Sequence, residues 1–216
     1  MQPAPSVVIL NGGAVEPDAS MRDLVSTADL VLAADGGLAW VAALGRPADV
    51  VVGDLDSATP DEIAYATDRG AQLRTHPADK DATDFELAMR LAVARGAERV
   101  TVLGVLGDRI DHVLATLSVA CSPAFAGVAV RAVTPRHIIA VVRDEVHLEG
   151  AAGDLLSLLP VGGAALGVRT TGLRYVLSGQ DLDPFASLGV SNVLTGSAVT
   201  VRVEGGVLLA VLERRG

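Results

Sequence analysis

Carboxylates in this chain recur at the ends of short apolar runs. Asp35 follows the run 30–34 in Ala-Asp-Gly-Gly, and Asp54 and Asp56 follow the run 50–52 in Val-Gly-Asp-Leu-Asp-Ser. A third group, Asp79-Lys80-Asp81-Ala82-Thr83-Asp84, opens the segment 83–95. A fourth runs from Gly104 through Val105, Leu106, Gly107, Asp108, Arg109, Ile110 and Asp111 to His112. Carboxylates alone repel a polyphosphate. With Mg²⁺ between them they attract it, because Mg²⁺ prefers oxygen ligands and bridges carboxylates to phosphates. Lys80, the one lysine of the chain, and Arg109, whose guanidinium can fork onto phosphate oxygens, lie within these groups. A metal with Arg and Lys is the usual means of stabilising a transferring phosphoryl group. Gly36, Gly37 and Gly53 let the backbone come close to a ligand. These residues imply Mg-dependent nucleotide or phosphate chemistry.

The elements that must position them follow from the apolar pattern. Runs 7–10, 30–34, 50–52 and 100–103 are continuous and short, as in strands buried on both faces of a parallel sheet. The segment 83–95 predicts a helix, with Thr83 as N-cap, Glu86 completing a capping box, and Gly96 at C′. A second helix is expected over 109–120, with Pro123 beyond it. Alternating strands and helices predict an open, mostly parallel α/β sheet domain over 1–133. Ligands of such sheets bind beyond the carboxyl ends of the strands, where the carboxylates fall. Helix N-termini at 83 and 109 favour anions at the same edge.

After about residue 134 the pattern changes to β-rich runs at 154–159, 168–171, 174–177, 198–203 and 207–212. Glu204-Gly205-Gly206 predicts a hairpin between the last two. A smaller, all-β, sandwich-like domain is expected over 134–216.

Composition bounds the rest. The 216 residues are 50% apolar and carry a net charge of −9, which suits a globular protein and repels nucleic acid. No apolar run is long enough to span a membrane, and no signal segment is evident. The single cysteine, Cys121, lies in an apolar run and is expected to be a small buried hydrophobe. A cytoplasmic protein is the expectation. Each motif also has a purely structural reading. An Asp after a strand often forms a turn, Asp79, Asp81 and Asp84 can be caps, and Arg109 can pair with Asp108 or Asp111. Trp40 is expected in the core, and His76, His137 and His147 lack ligand spacing. Three motifs at one sheet edge are harder to assign to capping alone.

In order and spacing, these motifs resemble those of the thiamine pyrophosphokinase family. The resemblance rests on Asp35-Gly36-Gly37, Gly53-Asp54-Leu55-Asp56-Ser57, Asp79 to Asp84 and Gly107 to His112. It continues in Gly153-Asp154-Leu155-Leu156-Ser157-Leu158, Thr171-Gly172-Leu173-Arg174-Tyr175 and Gly189-Val190-Ser191-Asn192. The resemblance implies diphosphate transfer from ATP to thiamine in a homodimer with the active site between subunits. It implies Mg²⁺ on Asp35, Asp54, Asp56 and Asp84. Ser57, Lys80, Thr83, Arg109, Asp111 and His112 would surround the nucleotide, together with Gly36 and Gly37. Asp84 or Asp111 would take the hydroxyl proton. Ser191 and Asn192 would bind thiamine. Where the family's glycine turn reads Gly-Gly-x-Gly-Gly-Arg, this chain has Val105 and Asp108, and Val193 stands where Glu often follows Ser-Asn. Alternative readings are a hydroxymethylpterin diphosphokinase and a non-catalytic nucleotide-sensing homologue.

Overall fold

The structure, a computed structural model, describes residues 5–13, 16–77 and 81–215, with Asp35 described by its backbone alone. The chain divides into two compact units, Met1–Pro135 and Arg136–Gly216.

Among the described residues, the first unit holds six strands: β1 (Ser6–Leu10), β2 (Leu30–Ala34), β3 (Val50–Gly53), β4 (Gln72–Thr75), β5 (Arg99–Leu103) and β6 (Ala129–Val133). Their order is β6-β5-β1-β2-β3-β4, and every adjacent pair is parallel. Strand order reverses at β1, so the loops after β1, β2 and β5 meet at the switch point where open α/β sheets take ligands. The helices are α1 (Ala19–Ser26), α2 (Trp40–Leu44), α3 (Pro60–Thr67), α4 (Asp84–Ala94) and α5 (Ile110–Ala120). Met21 and Val25 of α1 and Trp40, Val41 and Leu44 of α2 pack with Val8, Leu10, Val31, Ala33 and Val51 on one face. The alternate strand residues Val7, Ile9, Leu32, Val50 and Val52 are equally buried. They face the other side of the sheet, since successive strand side chains point oppositely. There α4 lies against β1, β2 and β3 with Phe85, Ala88, Met89 and Ala92 buried. Both faces are covered, which is why these strands are apolar throughout.

Helix α4 starts and stops by local chemistry. Thr83 Oγ1 accepts the Glu86 N–H at 3.2 Å. The expected reciprocal half of a capping box is replaced, because the Glu86 carboxylate turns to Arg90 at 2.6 Å. A complete box forms at α3 instead, where Thr59 N–H donates to Glu62 at 2.8 Å and Glu62 N–H to Thr59 at 3.3 Å. Gly96 follows α4 in the left-handed conformation, and Ala97 N–H closes onto Ala92 C=O at 3.1 Å, a Schellman stop. Cys121 is buried.

The described residues of the second unit form eight strands in two antiparallel sheets. One contains β7 (His137–Val142), β9 (Leu155–Pro160), β12 (Asn192–Val193) and β14 (Leu208–Glu213), in the order β12-β9-β14-β7. The other contains β8 (Glu145–Glu149), β10 (Ala165–Thr171), β11 (Ser178–Leu182) and β13 (Ala198–Arg202), in the order β11-β10-β13-β8. Leu156, Leu158, Leu208 and Leu212 of the first sheet share one core with Val168, Leu182, Val199 and Val201 of the second. This is the expected β-sandwich.

Two sequence expectations in this unit fail. Glu204-Gly205-Gly206 is not a hairpin. It carries the chain from β13 in one sheet to β14 in the other, held to β10 by Leu166 N–H to Gly205 C=O at 2.8 Å and Glu204 N–H to Leu166 C=O at 2.9 Å. A glycine turn between two alternating runs suits a sheet-to-sheet corner as well as a hairpin. The run 174–177 is not a strand either, since its N–H groups go to separate acceptors. Arg174 N–H reaches Val193 C=O at 2.9 Å, and Tyr175 N–H reaches Asn192 Oδ1 at 3.1 Å. The strand lies just beyond, at β11, whose polar sequence Ser-Gly-Gln-Asp-Leu hid it.

Among the described residues, no helix is long and apolar enough to cross a membrane.

Candidate active site

The loop after β3, the N-terminus of α4, the first turns of α5 and Asn11 after β1 enclose a cleft of about 440 Å³. Asp54, Asp56 and Ser57 enter from the β3 loop, Asp81, Thr83 and Asp84 from the start of α4. His112 and Thr116 come from α5, and Arg109 from its N-cap. His112 and Thr116 share a face because residues four apart on a helix lie side by side.

Each carboxylate has a distinct setting. Asp54 Oδ1 accepts the Asp56 N–H at 3.2 Å, and Ser57 Oγ donates to Asp56 Oδ1 at 3.1 Å. Between them Leu55 holds φ at 63°. A non-glycine residue there costs about 1–3 kcal/mol, offset by its surroundings. Asp84 is in the first turn of α4, where free N–H groups and the positive end of the helix dipole favour anions. Thr83 uses its hydroxyl oxygen as the α4 cap, which leaves its proton to donate.

Arg109 is engaged. Its Nη2 lies 2.5 Å from Asp111 Oδ2 and its Nε 3.3 Å from Oδ1. The hydrogen bonds from Arg109 hold the Asp111 carboxyl below the usual carboxylate range, and the same pairing raises the guanidinium. Asp111 lines neither this cleft nor its neighbour.

The neighbouring cleft, about 350 Å³, is floored by Gly12, Gly13, Gly36 and Gly104 and walled by Val105, Asp108 and Arg109. Asn11, Arg109 and His112 line both clefts. The floor is backbone packed on backbone. A Cβ on Gly104 would stand 2.1 Å from Gly12 C=O, and one on Gly37 2.0 Å from Leu10 C=O. Val105 is buried and Asp108 exposed.

Seven of the expected site residues thus meet in one cleft: Asp54, Asp56, Ser57, Thr83, Asp84, Arg109 and His112. Gly36 lines the second. Asp35 begins a 3-10 turn, Asp35–Ala39. Asp79 and Lys80 lie outside the described residues. In the second unit, Ser191 holds φ at 59° and its N–H donates to Ser157 Oγ at 3.1 Å. Asn192 is buried, and its amide is spent on the backbone of Tyr175. Its Nδ2 donates to Tyr175 C=O at 2.6 Å, and its Oδ1 accepts from Tyr175 at 3.1 Å and from Val193 at 2.9 Å. That geometry makes Asn192 a brace for the 175 loop.

Asn11 and Thr116 escaped the sequence reading. Asn11 Nδ2 donates to the buried Thr116 Oγ1 at 3.3 Å across 105 positions. The signal was present in Asn11-Gly12-Gly13, which follows the run 7–10 as Asp35-Gly36-Gly37 follows 30–34.

The Asp54, Asp56, Ser57, Thr83 and Asp84 side chains that line the first cleft offer oxygens, the set a hard cation such as Mg²⁺ takes. Among the described residues, no three His, Cys, Asp or Glu side chains are drawn together tightly enough to hold an ion alone. Mg²⁺ shared between one or two carboxylates and substrate phosphates fits that arrangement.

Residues 21–132 match the family model described as thiamin pyrophosphokinase, catalytic domain. Residues 136–208 match thiamin pyrophosphokinase, vitamin B1 binding domain. A thiamine pyrophosphokinase of Bacillus subtilis (strain 168) is 25% identical over 161 residues, covering 74% of this chain and 75% of that protein. One from Oryza sativa subsp. japonica is 25% identical over 177 residues, covering 77% of this chain and 66% of its own length. The chain therefore spans about two thirds of that plant relative. The crystal structure of a Bacillus subtilis thiamine pyrophosphokinase shares the fold with a TM-score of 0.83 at 22% identity, over 98% of this chain and 100% of that one. A Candida albicans structure gives 0.81 at 15% identity, over 97% and 89%.

Proposed function

Because the chain belongs to the thiamine pyrophosphokinase family, we propose that it transfers the diphosphate of ATP to the hydroxyethyl arm of thiamine. The thiamine hydroxyl oxygen bonds to the β-phosphorus, the bond from that phosphorus to the α–β bridging oxygen breaks, and AMP leaves. The hydroxyl proton passes to a carboxylate. The observation that carries this reading is the cleft where Asp54, Asp56 and Asp84 meet Ser57, Thr83, Arg109 and His112.

Within the proposal, each group has a task. Asp54, Asp56 and Asp84 would hold Mg²⁺, which when bound neutralises charge on the phosphate oxygens. Thr83 and the first N–H groups of α4 bind phosphate oxygens. Arg109 leaves Asp111 to fork onto the polyphosphate, and Lys80 adds charge. Of the two candidate bases, Asp84 is favoured over Asp111, because Asp84 lines the cleft and Asp111 does not. Gly36, Gly37 and Asp35 belong to the nucleotide side. Ser191 is assigned to thiamine, with Asn192 bracing the same region.

The proposal extends to a homodimer completing the site. It is supported by the exposed apolar side chains of Ile110 and Leu114 on α5 and of Tyr175 and Phe185 in the second unit. A cytoplasmic setting is part of it, supported by the single buried thiol, Cys121.

The test is AMP release from Mg-ATP with and without thiamine, alongside Asp54→Ala. Thiamine-dependent AMP that the substitution abolishes is expected. AMP formed only with a hydroxymethylpterin, or none while ATP still binds, would overturn the reading.

A further inference from the structure

Among the described residues, the non-glycine positions with positive φ are Leu55 and Ser191. Leu55 adjoins residues assigned above to the metal, and Ser191 is itself assigned to thiamine. Strain of this kind persists only where the surroundings over-determine it. At Leu55 those surroundings are visible. Its side chain is half-buried and packs against the core formed by α1, α2 and the sheet, as do Ala58 and Ile63. Its flanking residues Asp54 and Asp56 both line the cleft. The turn is tied on each side, by Asp56 N–H to Asp54 Oδ1 at 3.2 Å and by Ala58 N–H to Leu55 C=O at 3.3 Å. An L-residue with a γ-branched side chain gains nothing locally from the left-handed region, which Gly, Asn or Asp would occupy with less strain. What Leu contributes there is its grip on the core.

We propose that Leu55 is a positioning residue: anchored in the core, it locks the left-handed turn that presents Asp54 and Asp56 together to a metal-bound polyphosphate. The inference deepens the reading of the cleft as a diphosphokinase site and rests on it. The turn bends the chain from β3 toward α3 within a few residues, which keeps both carboxylates facing the cleft that Asp84 also lines. Groups that orient metal ligands without touching the metal typically affect metal affinity or activity 10–100-fold.

Three substitutions test this. Leu55→Gly removes the strain and the anchor, Leu55→Asn tolerates the left-handed turn but loses the apolar grip, and Leu55→Met keeps an apolar side chain of similar volume. The probe is Mn²⁺ with α,β-methylene-ATP, whose α–β bridge cannot be cleaved, titrated by calorimetry. In parallel, thiamine-dependent AMP formation and thermal melting are followed. Leu55→Gly and Leu55→Asn should bind the Mn²⁺–nucleotide about tenfold or more weakly and lose kcat by about 10–100-fold. Their thiamine KM should stay within about twofold, and Leu55→Met should match the parent. Should Leu55→Gly fail to fold, Leu55→Asn carries the comparison. Parent-like Mn²⁺–nucleotide binding in a folded Leu55→Gly or Leu55→Asn protein overturns the proposal. So does a folded Leu55→Met as impaired as the glycine variant. A parent that binds the Mn²⁺–nucleotide but forms no AMP with thiamine overturns the diphosphokinase reading and leaves the Leu55 comparison intact. A parent that does not bind it overturns both.

Discussion

The carboxyl carbon of Asp84 lies 3.1 Å from where a Cβ on Gly53 would stand, so the last residue of β3 and the first residue of α4 share one small space. Gly53 holds φ at 150°, a conformation L side chains rarely adopt. The positive φ favours glycine immediately before Asp54, and a Cβ there would crowd the Asp84 carboxylate.

Gly53→Ala should therefore displace the Asp84 carboxylate or the β3 end, and with it the alignment of the carboxylates. A shift of a few tenths of an ångström should lower AMP formation by less than the roughly hundredfold that a 1 Å misplacement of a reacting group costs, measured against a melting curve that shows the protein still folded.

Asp54→Ala should remove thiamine-dependent AMP formation by about 10²–10³-fold or more, the scale of losing one group that stabilises transition-state charge. Asp54 is only partly buried, so its removal, which also deletes the hydrogen bond from Asp56 N–H, should lower stability by no more than about 0.5–1.5 kcal/mol. Circular dichroism melting beside the kinetic assay separates the two effects.

Asp111 competes with phosphate for the Arg109 guanidinium. Asp111→Asn should free it and lower the ATP KM several-fold with no loss of kcat. Arg109→Ala should raise the ATP KM about tenfold, as removing a charge-assisted pair does. Unchanged ATP KM in both variants would show that the guanidinium takes no part in nucleotide binding.

Asp154 anchors the second unit. Its Oδ2 accepts Ala151 N–H at 2.8 Å and its Oδ1 accepts Arg215 N–H at 2.9 Å. The Arg215 and Ala151 N–H groups lower its pKa from 3.8 against the opposing effect of burial. A depressed folded pKa gives stability that is present above the unfolded value and lost as pH falls through the folded one. Asp154→Asn should cost about 1–3 kcal/mol near neutral pH. Its melting deficit should shrink as pH drops below 3.8, which scans at several pH values would reveal.

The strand-end carboxylates were legible because burial on both faces makes parallel strands unbroken apolar runs, and whatever follows such a run lies at the ligand edge. Thr83, Glu86 and Gly96 were legible because caps act within a few residues. The same locality explains the errors. Glu86 chose Arg90 over Thr83, two partners within one helical turn that sequence alone does not rank. The 174–177 run looked like a strand from its residue types, while its hydrogen bonds are set by Asn192 and Val193, distant in sequence.

By itself the sequence determined the two-part architecture, the sheet edge at which Asp54, Asp56, Asp84 and Arg109 gather, and the family resemblance, because each depends on local periodicity and motif order. Only the tertiary structure decided that Leu55 is left-handed, that Asn11 braces Thr116, that Arg109 rests on Asp111, and that Glu204-Gly205-Gly206 joins two sheets. Those outcomes depend on which surfaces and partners meet in three dimensions, and packing between distant segments settles what local preference leaves open.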